Sequence, residues 1–207
     1  DPFLAQHAAG PAARPFTDAD YRRHVDGIGR YDGVAALLAA RGVDLERGDP
    51  DDPPGDTTIC ALGNRKDAAF ADAVRRHGVA PYLTTGRFIE QLHAAGVRTA
   101  VVSASRNCQM VLEAAGVSDL FEVRIDGRDL DELGLPGKPD PAVFVEAAAR
   151  LGAVPSRAAV VEDAVSGVMA PVLAGLPAIT SLPPGMLASQ TLFQFTFAEV
   201  PTGEKSL

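Results

Sequence analysis

The chain has 207 residues, 46% of them hydrophobic and 22% charged, with a formal net charge of −8. That length can bury a sizeable core as one or two compact units, and the composition is that of an ordinary globular protein. The acidic balance argues against a nucleic-acid partner, which needs a basic stripe. It leaves room for an anionic substrate, because local Lys and Arg can focus a positive field in a cleft. No run reaches the ~18 apolar residues of a membrane span, and no basic-then-apolar signal opens the sequence. The expectation is a cytoplasmic monomer with no membrane partner. Cys60 and Cys108 stand 48 residues apart with no Cys-x-x-Cys pattern, so two buried thiols are expected rather than a disulfide framework or zinc site.

Residues 1–78 read as mostly helical. Thr17 and Asp18 are N-cap types ahead of a short helix carrying Tyr21 and Val25. Asp32-Gly33 reads as the start of a second helix, through residues 34–41 and closed by Gly42. Residues 46–56 are a loop dense in Asp, Pro and Gly. A longer helix is predicted over residues 59–77, stopped by Gly78. From about Val79 helix and strand alternate: helix 87–95, strand 98–102, helix 107–115, strand 121–125, helix 141–151 with Asp140 as its cap, and strand 158–161. This alternation predicts an α/β fold with a parallel, helix-covered sheet. After Val168 the pattern weakens. Pro171 falls inside an expected helix, Pro183-Pro184-Gly185 interrupts the next stretch, and residues 192–197 could form a late strand.

Three motifs carry the chemistry. Val101-Val102-Ser103 is an apolar run ending on a hydroxyl. Gly137-Lys138-Pro139 offers a lysine in a stiff loop. Ala158-Ala159-Val160-Val161-Glu162-Asp163 is a short apolar strand ending on two carboxylates. Ligands of open α/β sheets sit beyond the carboxyl ends of strands, and carboxylates there suit a hard cation such as Mg2+. Hydroxyl, lysine and acidic pair together read as a phosphoryl-transfer site. His24, His77 and His93 form no metal spacing and read as structural.

In this order the motifs resemble the haloacid dehalogenase (HAD) superfamily, and within it the β-phosphoglucomutase-like sugar-phosphate branch, over roughly residues 1–168. The resemblance implies a Rossmann-like core from residue 79 to 207 with a helical cap domain over residues 1–78. It implies a phosphorylated sugar as substrate and Mg2+ as cofactor, held by Asp163 with Glu162 beside it. Ser103 would donate to the transferring phosphate with the Ala104 N–H beside it, and Lys138 would balance its charge. Ser105, Arg106 and Asn107 match positions that face the non-transferring phosphate in the mutase branch. Arg30 and Lys66 match a cap arginine and a cap lysine that reach substrate.

One element departs from the family pattern. The nucleophile there is the first aspartate of Asp-x-Asp-Gly on the first strand, and no Asp-x-Asp-Gly occurs in these 207 residues. Tyr31-Asp32-Gly33 follows Arg30 rather than an aspartate two places before Asp32. The first strand with its nucleophile is therefore expected to be missing from this chain, which alone would be inactive. The leading expectation is Mg2+-dependent phosphoryl transfer on a sugar phosphate. A phosphatase on the same scaffold, or a non-catalytic remnant, are the alternatives.

Overall fold

A computed structural model describes Leu4 and residues 14–161, 178–179 and 194–198. The chain divides into two compact units, Asp1–Gly78 and Val79–Leu207.

The first unit is helical in its described residues. Helix α1 (Asp18–His24) opens on a capping box, in which Thr17 accepts the Asp20 N–H and Asp20 accepts the Thr17 N–H. Helix α2 spans Arg30–Ala40 and α3 spans Ile59–His77, capped by the Thr58 side chain and ended by Gly78. Helix α2 begins two residues before the expected Asp32-Gly33 start. Gly29 takes the cap position, and Asp32 sits in the first turn, where the helix dipole favours an acid. Leu4, Leu38 and Leu62 form the core, packed by Val34, Val43, Leu45 and Ile59. Gly63 lets α2 and α3 approach, because a Cβ there would lie 2.8 Å from the Tyr31 ring. Asp20 is buried and bridges Arg14 (2.6 Å) and Arg41 (3.0 Å). Hydrogen bonds from Arg14 and then Thr17 hold its carboxyl far below the usual carboxylate range. Arg14 is half exposed, so water screens part of this attraction.

The second unit is α/β. Helix α4 (Leu83–Ala94) leads into β1 (Arg98–Val102), then α5 (Cys108–Ala115), a 3-10 turn (Ser118–Leu120) and β2 (Val123–Ile125). Helices α6 (Gly127–Leu133) and α7 (Ala142–Arg150), a second 3-10 turn (Pro155–Arg157) and β3 (Ala158–Val161) follow. Strands β4 (Ala178–Ile179) and β5 (Gln194–Ala198) complete the described elements. The sheet order is β2-β1-β5-β3-β4. The β1–β2 and β3–β4 pairs are parallel as expected, and β5 runs antiparallel to both β1 and β3. Helix α6 was not expected after strand 121–125; Asp126 caps it with a capping box closed by Asp129. Helix α4 begins four residues before the expected start, so the second unit opens on helix almost at once. Pro171 and Pro183-Pro184-Gly185 lie outside the described residues.

The core runs along one face of the sheet. Ala100, Val102, Ile125 and Val160 pack against Val143, Phe144, Ala147, Ala148 and Leu151 from α7. A smaller cluster joins Val101 to Cys108 and Leu112 of α5. Thr99 is fully buried, and its hydroxyl donates to the Leu120 carbonyl at 2.7 Å. That hydroxyl proton is spent, so the 2.8 Å contact with His93 Nε2 has the imidazole as donor.

Two outcomes test these buried polar groups. Thr99→Val keeps the shape but leaves the Leu120 carbonyl without its donor. Urea unfolding should show a loss of about 1–2 kcal/mol, and an unchanged midpoint would contradict the hydrogen bond. Asp20 stays charged in the fold well below pH 4 and takes a proton near pH 4 once unfolded. Its contribution is therefore complete above about pH 5 and is lost as pH falls below about 4. Asp20→Asn should melt several degrees lower than the parent near neutral pH, and the difference should stay level down to about pH 5 and begin to narrow below about pH 4.

Candidate active site

The carboxyl ends of β1, β2 and β3 lie along one edge of the sheet. Val102 is level with Ile125, while Val101 and Val161 are both level with Phe195 of β5. Neighbouring strands are about 4.8 Å apart, so β1 and β3, one strand removed, are separated by about 10 Å.

Ser103 follows β1 directly. Its N–H donates to the Ile125 carbonyl at 2.9 Å, which holds the chain to β2 one residue past the strand. The backbone then turns on two serines. The Ser105 N–H donates to Ser103 Oγ at 3.1 Å, and the Asn107 N–H donates to Ser105 Oγ at 3.2 Å. The Ser103 hydroxyl also lies within hydrogen-bond reach of the Cys108 thiol. Burial, then the nearby Asp126 carboxylate, push that thiol up to about 12, so it keeps its proton at neutral pH. A hydroxyl has one proton and two lone pairs. The Ser105 N–H takes one lone pair of the Ser103 oxygen, and the freely rotating hydroxyl proton is what this loop has to donate. Arg106 is half-buried and pairs with Asp131 at 3.5 Å.

Lys138 lies in the loop before α7, and its ammonium sits 5.2 Å from the centroid of the Phe144 ring. Phe144 is fully buried beneath Val102, Ile125 and Val160, so the lysine is anchored to the core that carries the strand ends. Asp140 accepts the Ala142 N–H at 2.9 Å, which fixes the entry into α7. That helix begins at Ala142 with Pro141 as cap, one residue later than the expected Pro141 start. Glu162 and Asp163 lie outside the described residues, immediately beyond the end of β3.

In the helical unit, Arg30 is held by Asp67 at 2.6 Å and by Asn64 Oδ1 at 3.2 Å. Partial burial of the Lys66 ammonium, then the Arg30 guanidinium, pull its pKa below the ordinary lysine value, and Asp67 pulls the other way. Lys66 is nonetheless exposed, so solvent weakens that pull. Lys66, Arg30 and Asp67 thus form a local cluster of two cations and one carboxylate on α2 and α3.

Sequence reasoning passed over two residues beside the Ser103 loop, Cys108 and Gly127. Cys108 is expected only as a buried thiol, and Gly127 is given no role. The available signal was the position of Asp126-Gly127 at the end of a strand parallel to the serine strand. Elsewhere in this unit a cleft of about 350 Å3 is lined by Gln109, Glu113, Ser118, Arg124, Asp129 and Arg150 among others. None of the predicted site residues lines it. Among the described residues no group of three or more His, Cys, Asp or Glu is placed to hold a metal, and no helix is long and apolar enough to cross a membrane.

Residues 2–175 match the sequence profile of the haloacid dehalogenase-like hydrolase family, somewhat beyond the span over which the motifs alone carry the resemblance. A β-phosphoglucomutase of Mycobacterium bovis is 41% identical over 173 residues, covering 82% of this chain and 66% of that relative. This chain thus spans just under two thirds of that protein's length. Among solved structures, a β-phosphoglucomutase from Clostridium difficile superposes with a TM-score of 0.63 at 18% identity, covering 80% of this chain and 69% of the other. A HAD family hydrolase from Deinococcus radiodurans, solved with bound phosphate and sodium, has a TM-score of 0.56 at 28% identity, covering 92% and 74%. With the fold, the serine-ended β1 and these relatives in agreement, the chain belongs to the haloacid dehalogenase-like hydrolase family, in its β-phosphoglucomutase-like branch.

Proposed function

We propose that this chain carries the phosphate-binding part of a Mg2+-dependent sugar-phosphate phosphoryltransferase of the β-phosphoglucomutase type. The observation that carries the reading is the Ser103 loop. It is a hydroxyl at the carboxyl end of a buried strand, held to β2 through its own N–H and accepting the Ser105 N–H, with a proton that can turn toward an anion. The 41% identity to a β-phosphoglucomutase supports the choice of a sugar phosphate as substrate.

Phosphoryl transfer is mainly a matter of alignment and charge neutralisation. Ser103 donates to a non-bridging oxygen of the transferring group, beside the Ala104 N–H. Lys138 offsets its negative charge. Ser105, Arg106 and Asn107 orient the rest of the substrate, with Arg30 and Lys66 assigned to its second phosphate. A guanidinium has five N–H donors, so Arg30 can keep Asp67 and Asn64 and still offer a proton to phosphate. The donor chemistry of Glu162 and Asp163, two hard carboxylates directly after β3, fits Mg2+. Asp163 would hold it with Glu162 beside it, and it would supply charge neutralisation between the attacking carboxylate and the phosphate. That attacking carboxylate is not among the 207 residues, which contain no Asp-x-Asp-Gly. The protein is assigned to the cytoplasm as a monomer, on its composition alone. A phosphatase on the same scaffold is the second reading, favoured by the phosphate bound to the Deinococcus relative.

Residues 1–207 alone should show no turnover of a β-sugar 1-phosphate in a coupled assay, and robust hydrolysis or isomerisation by them would contradict the missing nucleophile. In a longer form carrying Asp-x-Asp-Gly, activity should require Mg2+, and Asp163→Asn should lower both the rate and the response to Mg2+. In that form Arg30→Ala should reduce turnover of a β-sugar 1-phosphate by ~10-fold or more, the cost of a charge-assisted hydrogen bond, while a small aryl phosphate loses little. Equal losses would remove Arg30 from the distal phosphate and favour the phosphatase reading.

A further inference from the structure

Gly127 opens α6 directly after Asp126, at the end of the strand beside the serine strand. It is buried. A Cβ built on it would lie 2.7 Å from the Ala104 carbonyl oxygen, 2.9 Å from the Arg106 nitrogen and 2.9 Å from Arg106 Cγ. Two of these three atoms are backbone, which cannot rotate away as the end of a side chain can. The Gly127 N–H also donates to the Ser105 carbonyl at 3.3 Å, and the Ser103 N–H to Ile125 at 2.9 Å. The pairing of β1 with β2 thus continues past both strands into the two turns. On the Gly127 side the anchor is rigid. Asp126 is buried, accepts the Arg128 N–H at 2.8 Å, gives its own N–H to Asp129 and lies 2.9 Å from Arg124.

We infer that Gly127 is a positioning residue, whose missing side chain lets the β2–α6 turn press on the Ser103–Asn107 loop and set the aim of the Ser103 hydroxyl and the amides beside it. The inference rests on the phosphate-binding reading of that loop for its functional part, and on the contacts alone for its structural part. Any side chain at 127 must displace the Ala104 carbonyl or the Arg106 amide, and both lie within three residues of the Ser103 oxygen. The loop then keeps its sequence and loses its geometry, the kind of small misplacement that lowers affinity far from any missing contact.

The test uses the 207-residue chain with inorganic phosphate as probe, followed by backbone amide resonances. Gly127→Ala should stay folded, displace the Ser103–Asn107 amides in the absence of phosphate, and weaken phosphate binding at the loop by about tenfold or more. Gly86→Ala, in α4 with nothing near the added Cβ, should move neither. A folded Gly127→Ala chain with unshifted loop amides and parental phosphate affinity overturns the inference. If the parent chain binds no phosphate at the loop, the proposed function fails, and the displacement of the free loop amides still decides the positioning role. Should Gly127→Ala not fold, hydrogen exchange on the parent decides it. The Gly127 amide should be protected and should exchange together with Ser103, and an unprotected Gly127 amide refutes the inference.

Discussion

Strand β1 is the constraint on which the larger unit depends. Ala100, Val101 and Val102 are wholly excluded from water. The strand has β2 on one side and β5 on the other, α7 residues on one face and α5 residues on the opposite one. Burying such side chains on both faces contributes roughly 1.5–3 kcal/mol each for the larger ones. A strand so enclosed can carry a hydroxyl only where it is fully paired, as Thr99 is with Leu120 and His93, so the first hydroxyl open to a ligand comes one residue beyond it. The placement of Ser103 is a consequence of that burial. So is the tight turn behind it, because Ser103 is still bonded to β2 when the chain must leave the sheet.

The same logic explains how an acidic chain can present sites for anions. The excess of carboxylates lies mostly at exposed positions or in local pairs, such as Asp67 with Arg30 and Asp131 with Arg106. Lys138 also meets a buried aromatic ring, that of Phe144. A ring fixes a cation without neutralising it. Arg30 has been given both kinds of neighbour, Asp67 and the Tyr31 ring at 5.7 Å, and Lys66 beside it adds a second positive charge.

Much of this was legible in the residues. The runs 98–102 and 158–161 are too short and too apolar for anything but buried strands, and both were found with those bounds. Thr58 and Gly78 mark the two ends of the long helix 59–77 by local chemistry alone. Local signals misled where a residue has two uses. Asp126-Gly127 carries both turn and cap chemistry, and in the fold Asp126 is a helix cap and Gly127 the first helical residue. Long-range facts left no trace in the sequence. The antiparallel sense of β5 depends on partners far away in the chain, and a five-residue strand of alternating polar and apolar residues looks the same in either direction. The contact of Gly127 with Ala104 and Arg106 is of the same kind, visible only once two turns are set side by side.

The position of β5 has a consequence for how the protein is made. The middle strand of the sheet comes from residues 194–198, while its two neighbours come from residues 98–102 and 158–161. During synthesis the helical unit has all its residues long before the last of these emerges from the ribosome. The larger unit must instead wait with two strand edges open toward each other, each a template for unwanted pairing. Closing the sheet through so distant a segment costs loop entropy before any ladder bond is gained. The two units are thus set up to mature on different clocks, the helical one early and by local contacts, the sheet late and by its final strand.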